Sequence, residues 1–474
     1  MKKSEFGRWS RVATDWSVKY LDNIETFPVR AQTQPGDIAA QIPQVPPEQG
    51  VSMEAIIEDF IQVVPPGMTH WQHPRFFAYF SSNAAPASMI AEQLAGTLAA
   101  QCMLWQTSPA ATEIETRMVD WLRQAVDLPD TFSGVLQDTA SSATLCAILT
   151  MREIALDWTG NQQGLSQKPT LRVYASSRTH TSVDKAMWVA GLGQDNLVKI
   201  DTREDFSMDA DALAHAISED RAAGFQPAGI VVCVGGTSMG ATDNVREICE
   251  LAAKEGLYTH IDAAWAGSAM ICPEYRVMWD GAELADSIVL NPHKWLGASM
   301  ECSAHFVKNP ETLVKTLAIQ PEYLKTYGRD GIINFSEWSV QLGRRFRALK
   351  LWFLFRAYGL DGLRSMIRNH VNWSIELCNR LDGESDFEIV TAPILSLFTF
   401  RYKPGNADRG LDLDALNLQL VNSINDDGRI YLTQTTHDGM LVIRFVCGQF
   451  DMTHDDINVA FDAITSLARA MQHS

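Results

Sequence analysis

An imidazole and an indole flank a single lysine in Asn291-Pro292-His293-Lys294-Trp295. The apolar run 287–290 directly before it reads as a buried strand, which puts Lys294 at a strand end, away from the solvated surface where lysine ordinarily lies. Apolar neighbours lower the pKa of an amine and keep it free to attack a carbonyl, as Schiff-base chemistry requires. Another strand-like run leads into His260-Ile261-Asp262-Ala263-Ala264-Trp265-Ala266-Gly267. Here a carboxylate stands at the strand end, and the small residues after it let a flat ligand lie close to the backbone. Taken by itself, an aspartate in this place serves equally well as the cap of a following helix.

Two more segments repeat the pattern of a strand followed by polar side chains. Gly134-Val135-Leu136-Gln137-Asp138-Thr139-Ala140-Ser141-Ser142-Ala143-Thr144 runs from a strand into a helix, with hydroxyls where the first turn has free N–H groups. Such a start either caps the helix or receives a phosphate. It lacks the G-x-x-x-x-G-K-[ST] order, so ATP is not implied. Arg178-Thr179-His180-Thr181-Ser182 follows the run 171–175, and a histidine there can stack on an aromatic ligand and serve as acid or base near neutral pH. An amine, a carboxylate, a phosphate-accepting helix start and an imidazole, all at strand ends, are the parts of a pyridoxal 5′-phosphate site. In such a site the carboxylate pairs with the protonated ring nitrogen and keeps the ring an electron sink. No cluster of histidine, cysteine and carboxylate residues has metal-ligand spacing, and no metal is expected.

These residues need a scaffold that gathers strand ends. From about 86 to 310, short β-branched runs at 171–175, 197–200, 229–234, 258–261 and 287–290 alternate with helical stretches. That order predicts an α/β fold with a mostly parallel central sheet, helices on its faces and ligands at the carboxyl ends of its strands. Residues 5–24 space Phe6, Trp9, Ala13, Trp16 and Tyr20 as one stripe of a helix, and the proline-rich stretch 28–50 reads as an extended arm. Strands at 387–390, 395–400 and 440–446 with a final amphipathic helix at 455–471 make a small α+β unit. The expected division is an N-terminal helical and arm segment over 1–85 that packs on a partner subunit, a large cofactor-binding domain over 86–355, and a small C-terminal α+β domain over 356–474.

The length of 474 residues suits several units around a large interior. With 39 basic against 57 acidic side chains, a net charge of −18 and no basic run, neither nucleic acid nor an anionic membrane is an expected partner. No apolar run approaches the roughly 20 residues that cross a bilayer, and no apolar stretch follows Lys2 and Lys3, so a cytoplasmic protein is expected. The eight cysteines form no CxxC pair and mostly lie in apolar segments, as reduced core residues do.

Several long motifs recur in a familiar order: Pro74-Arg75-Phe76-Phe77-Ala78-Tyr79-Phe80, Trp105-Gln106-Thr107-Ser108-Pro109-Ala110, the segments 137–144, 180–183, 262–268 and 291–296, and Leu342-Gly343-Arg344-Arg345-Phe346-Arg347. In these, over nearly its whole length, the chain resembles the group II pyridoxal-phosphate-dependent decarboxylases. Within that group it looks most like the aromatic L-amino-acid decarboxylases, which act on dopa, tyrosine, tryptophan, 5-hydroxytryptophan or phenylalanine. The resemblance implies the aspartate-aminotransferase fold (fold type I) and a homodimer whose N-terminal segment clasps the partner. By the same resemblance Lys294 is the Schiff-base lysine, Asp262 the partner of the pyridine nitrogen and His180 the ring stacked on the cofactor. Thr139, Ala140 and Ser141 would hold the phosphate with Asn291 and His293, while Thr237 and Ala264 would lie beside the ring. Trp71, Tyr79, Phe80 and Ser82 would line the aromatic substrate pocket, with Met103 reaching in from the partner subunit.

One departure bears on chemistry. Phe335, in Gly331-Ile332-Ile333-Asn334-Phe335-Ser336-Glu337-Trp338, falls where the resemblance expects a mobile loop with a catalytic tyrosine. Phenylalanine cannot donate a proton, and plant relatives with phenylalanine there resemble aromatic acetaldehyde synthases. His180 argues for the amine-forming reaction, since aldehyde-forming insect relatives replace that histidine. Decarboxylation to an arylalkylamine, oxidative formation of an aldehyde, and an inactive cofactor-binding protein stay open at this point.

Overall fold

Among the described residues, which are 1–319, 331–405 and 411–471, the computed structural model has eleven strands in two sheets. The larger sheet comprises β1 (Ser133–Gln137), β2 (Leu171–Ser176), β3 (Leu197–Ile200), β4 (Gln226–Cys233), β5 (Tyr258–Asp262), β6 (Ser287–Leu290) and β7 (Ser303–Val307), in the order β1-β7-β6-β5-β4-β2-β3. From β3 through β6 every pairing is parallel, and β7 runs antiparallel to both β6 and β1. Strands β5, β6 and β7 are buried at every residue, which is why β6 reads in the sequence as an apolar run without alternation. The expected runs 197–200 and 287–290 coincide with β3 and β6, and the others differ at their ends. Strand β7 was not expected, because Ser303 and His305 break its apolar pattern.

Register decides what the sheet can do. Cys233 pairs with Asp262 across β4 and β5, and Asp262 pairs with Val289 across β5 and β6. Three strands widely separated in sequence therefore end at one edge, where the turns carrying Thr237, Asp262 and Lys294 begin. Helix Ala140–Ala155 packs on this sheet against β4, β5, β6 and β7.

The chain divides into two compact units, one of 1–81, 373–392 and 399–474 and one of 82–372 and 393–398. The expected boundaries were 85/86 and 355/356. The later changeover falls inside the helical stretch Ala348–Asp382, which is broken only at Gly359, where φ is 62° and ψ 171°. The N-terminal segment and most of the C-terminal α+β region thus form a single unit.

That smaller unit contains β8 (Phe387–Ile394), β9 (Leu397–Tyr402), β10 (Thr433–His437) and β11 (Met440–Val446), ordered β10-β11-β9-β8, with helices Leu413–Asp427 and His454–Ala470; the turn between β8 and β9 is grouped with the larger unit. Its first helix, Phe6–Asp22, carries the expected aromatic stripe. Trp16 meets Phe60 edge-on at 4.7 Å, and the Tyr20 hydroxyl lies 2.8 Å from His70 Nδ1. Trp9 is buried and Phe6 is exposed. Much of the stripe is therefore covered within its own unit.

In the larger unit a buried ion pair fastens remote segments to β1. Glu115 accepts the Leu136 N–H at 2.9 Å and the Arg344 guanidinium at 2.6 and 3.1 Å. Arg344 donates in turn to the Leu136 carbonyl at 2.8 Å, and its own carbonyl accepts the Cys102 N–H at 2.9 Å. Both partners make further hydrogen bonds, with Arg344 Nε alone left without an acceptor among the described residues, and such bonds are what a buried ion pair needs to persist.

His305, in β7, is fully buried next to Val135 and Val289. Neither ring nitrogen has a hydrogen-bond partner among the described residues, and burial pushes the imidazole pKa down to about 3. Leaving such a group unpaired costs about 1–3 kcal/mol, so His305→Leu is expected to raise stability by that order at pH 7.5. The unfolded chain takes up a proton below pH 6.5 that the native ring refuses, so the wild type loses stability as the pH falls from 6.5 toward 3. The advantage of leucine should grow over that range. Unfolding midpoints at pH 7.5 and 5.5 check this, and a lower midpoint for His305→Leu at both would contradict it.

Candidate active site

Each functional side chain of the larger unit stands on a turn that leaves the carboxyl edge of the sheet. Lys294 sits on the single helical turn Pro292–Trp295, right after β6, with its N–H on the Asn291 carbonyl at 3.0 Å. A helix of one turn does not hold itself together. Its anchor is Trp295, buried, whose Nε1 donates to His370 Nδ1 at 2.9 Å. The Trp295 ring also stacks on Trp265 at 5.2 Å with an interplanar angle of 12°. Because Trp265 follows Asp262 by three residues, the stack ties the turn of the lysine to the turn of the carboxylate.

Asp262 ends β5 and is buried, with one oxygen accepting the Ala264 N–H at 3.1 Å. The Ala264 carbonyl accepts the Asn291 N–H at 3.0 Å, closing the β5 and β6 turns on each other. His180 Nδ1 accepts the Ser182 N–H at 3.1 Å and lies 2.8 Å from Ser182 Oγ. The neutral ring therefore carries its proton on Nε2. Its pKa is below the usual histidine value, because of desolvation first, with Asp262 pulling it up and Lys294 pushing it down. The charges of the amine and the carboxylate thus both reach the imidazole.

Neutral donors gather at the start of helix Ala140–Ala155. Thr139 precedes helix Ala140–Ala155 in extended backbone with no side-chain cap, and the N–H groups of Ala140, Ser141 and Ser142 have no partner among the described residues. Those N–H groups and the helix dipole suit an anion. Ala140, Ala143, Ala264 and Val289 pack together, so the helix start adjoins the Asp262 turn. Asn291 Oδ1 accepts from Ser303 Oγ at 2.6 Å, leaving its amide N–H groups as donors. His293 Nδ1 accepts the Cys302 N–H at 2.9 Å, and burial first, then Lys294, holds its pKa near 3, so it stays neutral with a donor at Nε2. Thr237 follows Gly235 (φ 78°) and Gly236. A Cβ on Gly236 would come within 3.2 Å of Cys233 Sγ and 3.4 Å of the Ala241 and Arg178 carbonyl oxygens, so the turn after β4 fits closest to its neighbours with glycine there.

The remaining expected residues are distributed differently. Ser82 and Met103 belong to the larger unit, with Ser82 Oγ at 3.7 Å from Met300 Sδ and the Met103 carbonyl accepting the Ser336 N–H at 3.1 Å. Trp71, Tyr79 and Phe80 belong to the smaller unit. There Tyr79 stacks on Trp71 at 6.0 Å and meets Tyr431 edge-on at 6.0 Å, with their hydroxyls 3.4 Å apart. Tyr431 escaped the sequence reading, since nothing local sets it apart from any other strand tyrosine.

Phe335 requires a correction. Its ring is 1% exposed, in a core cluster with Val135, Cys146, Val307, Leu313 and Trp338, and the Arg344 guanidinium lies 5.1 Å from its centre. The turn Phe335–Trp338 is held down by Ser336 on Met103 and by Trp105 N–H on Asn334 Oδ1 at 3.1 Å. A ring packed in this way is not a loop side chain free to meet a substrate, and the argument from Phe335 to an aldehyde product loses its footing. The spacing misled because the polar neighbours Asn334, Ser336 and Glu337 give a buried turn the look of a surface loop.

A basic amine, a carboxylate, a neutral imidazole and an anion-binding helix start, with small residues between them, fit pyridoxal phosphate. A model of the pyridoxal-dependent decarboxylase conserved domain matches residues 35–403. The chain is 38% identical over 444 residues to tyrosine decarboxylase 2 of Arabidopsis thaliana, covering 92% of this chain and 81% of that one. It is 35% identical over 483 residues to phenylacetaldehyde synthase of Petunia hybrida, covering 98% and 95%. Its fold matches the crystal structure of Catharanthus roseus tryptophan decarboxylase in complex with L-tryptophan at a TM-score of 0.93 and 35% identity, over 99% of both chains. From the strand-end chemistry, the fold and these likenesses together, the chain belongs to the family of pyridoxal-dependent decarboxylases.

Proposed function

We propose that the chain removes the carboxyl group of an aromatic L-amino acid, releasing carbon dioxide and an arylalkylamine. The observation that carries this reading is the convergence of Lys294, Asp262 and His180 on one sheet edge, set by the register of β4, β5 and β6, where the charges of Asp262 and Lys294 both bear on the His180 ring. The tyrosine and tryptophan decarboxylases among its relatives support an aromatic substrate.

When bound, pyridoxal phosphate supplies an electron sink beside the bond to the carboxyl group. Lys294 offers the amine that would hold the cofactor. Asp262, fixed by the Ala264 N–H, would face the pyridine nitrogen and favour its protonated form. Thr139, Ala140, Ser141, Asn291 and His293 would hold the phosphate end as neutral donors, and Thr237 and Ala264 would lie beside the ring. His180, neutral with its proton on Nε2, is suited to return a proton to the substrate α-carbon after carbon dioxide leaves. The core position of Phe335 favours amine over aldehyde as the main product, although an aldehyde synthase is among the relatives.

A homodimer belongs to the same reading. Helix Pro86–Leu98 exposes Ile90, Leu94 and Leu98 at intervals of one helical turn, an apolar line suited to a second copy. Met103 of each chain would then serve the other's pocket. All eight cysteines are buried and none is joined in a disulfide, and among the described residues no helix is long and apolar enough to cross a membrane. Both facts accord with a cytoplasmic enzyme.

Phenylalanine, tyrosine, dopa, tryptophan and 5-hydroxytryptophan incubated with the enzyme under air should give, for at least one of them, amine equal to the carbon dioxide released and little oxygen uptake. Oxygen consumed in step with carbon dioxide, with aldehyde and peroxide in place of amine, would make this an aromatic aldehyde synthase. Phe335→Leu should lower the unfolding midpoint and leave the ratio of amine to aldehyde unchanged; a shifted ratio would return Phe335 to the reaction. Sedimentation of the purified enzyme should give the mass of two chains, and an active species with the mass of one would refute the shared pocket.

A further inference from the structure

Asp138 stands between the end of β1 and the N-cap of helix Ala140–Ala155, and its carboxylate is held in place. One oxygen accepts the Thr139 N–H at 2.6 Å and the other the Gln341 side-chain amide at 2.9 Å. Its charge is among those felt by His293, which is buried and whose Nε2 donates to no protein group among the described residues. Left to itself, a carboxylate here does what acidic residues do at helix starts, answering the partial positive charge of the first turn. A phosphate seeks that same charge.

The other groups of the phosphate end do not offset the competition. Thr139, Ala140, Ser141, Asn291 and His293 contribute neutral donors, and no arginine is among them. Lys350, which also acts on His293, spends its ammonium on the Ser299 and Glu301 carbonyls at 2.8 and 3.2 Å and on the Glu92 carboxylate. We propose that Asp138, fixed by Gln341, is an affinity-determining residue whose charge opposes the cofactor's phosphate and holds the enzyme's affinity for pyridoxal phosphate below what its neutral cradle would reach. The cofactor then exchanges more readily, and the loaded fraction follows the supply of free pyridoxal phosphate. This rests on the reading that the phosphate lies at the start of helix Ala140–Ala155.

The test uses enzyme from which cofactor has been resolved, titrated separately with pyridoxal phosphate and with pyridoxal, which lacks the phosphate. Asp138→Asn loses the charge and keeps one side-chain oxygen for the Thr139 N–H, while its amide N–H can meet the Gln341 side-chain oxygen once that amide is turned. It should lower the dissociation constant of pyridoxal phosphate about tenfold, as expected of like charges a few ångströms apart in a partly screened site, and leave that of pyridoxal unchanged. Asp138→Glu, which keeps the charge, should gain nothing. An unchanged or weaker affinity for pyridoxal phosphate in Asp138→Asn overturns the proposal, as does an equal gain for pyridoxal or a matching gain in Asp138→Glu. Ser141→Ala checks the cradle independently by weakening pyridoxal phosphate binding and sparing pyridoxal. Were it to change neither constant, the phosphate site would be misplaced and the proposal would fall with it.

Discussion

The register of β4, β5 and β6 is the constraint on which everything else in the larger unit rests. Cys233, Asp262 and Val289 lie side by side, so a slip of one residue in either pairing would turn Asp262 to the opposite face of the sheet and part it from His180 and Lys294. Complete burial of β5 and β6 helps hold the pairing, since apolar strands with both faces covered have no cheap alternative arrangement. Short covalent links then do the rest. Asp262 is the last residue of its strand, Lys294 lies four residues past β6, and His180 four residues past β2.

On that edge the protein keeps its histidines neutral and its charges few. His293 and His180 each accept a backbone N–H at Nδ1, which fixes the proton on Nε2 and makes each ring a donor without a formal charge. Desolvation reinforces the same state. The charges around the site include Lys294, Asp262, Asp138, Asp184 beside His180, and Lys350 engaged with Glu92. Catalysis by an electron sink needs a positive ring nitrogen stabilised by one carboxylate, and a crowd of other charges would blunt that contrast.

Much of this could be read in the chain itself, because parallel strands buried on both faces leave apolar runs and catalytic residues follow those runs directly. The α/β architecture with its mostly parallel sheet was legible for that reason, as were the strand-end positions of Lys294, Asp262 and His180, whereas fold type I followed only from the family resemblance. What the sequence concealed lay in contacts between distant residues. Gln341 meets Asp138 across 203 positions, Glu115 meets Arg344 across 229, and no local pattern announces either pairing. Strand β7 was hidden by Ser303 and His305, buried polar residues in a strand interior. Phe335 was misjudged because its neighbours in sequence are polar while its neighbours in space, Val135, Cys146 and Leu313, are apolar.

The central claim is that these strand ends converge on a cofactor carried by Lys294. Borohydride reduction of the purified, loaded enzyme fixes the link between cofactor and lysine, and peptide mapping then locates it. The account predicts the reduced pyridoxyl group on Lys294 alone, in the peptide containing Asn291-Pro292-His293-Lys294-Trp295. A pyridoxyl group on any other lysine, with Lys294 unmodified, would contradict it.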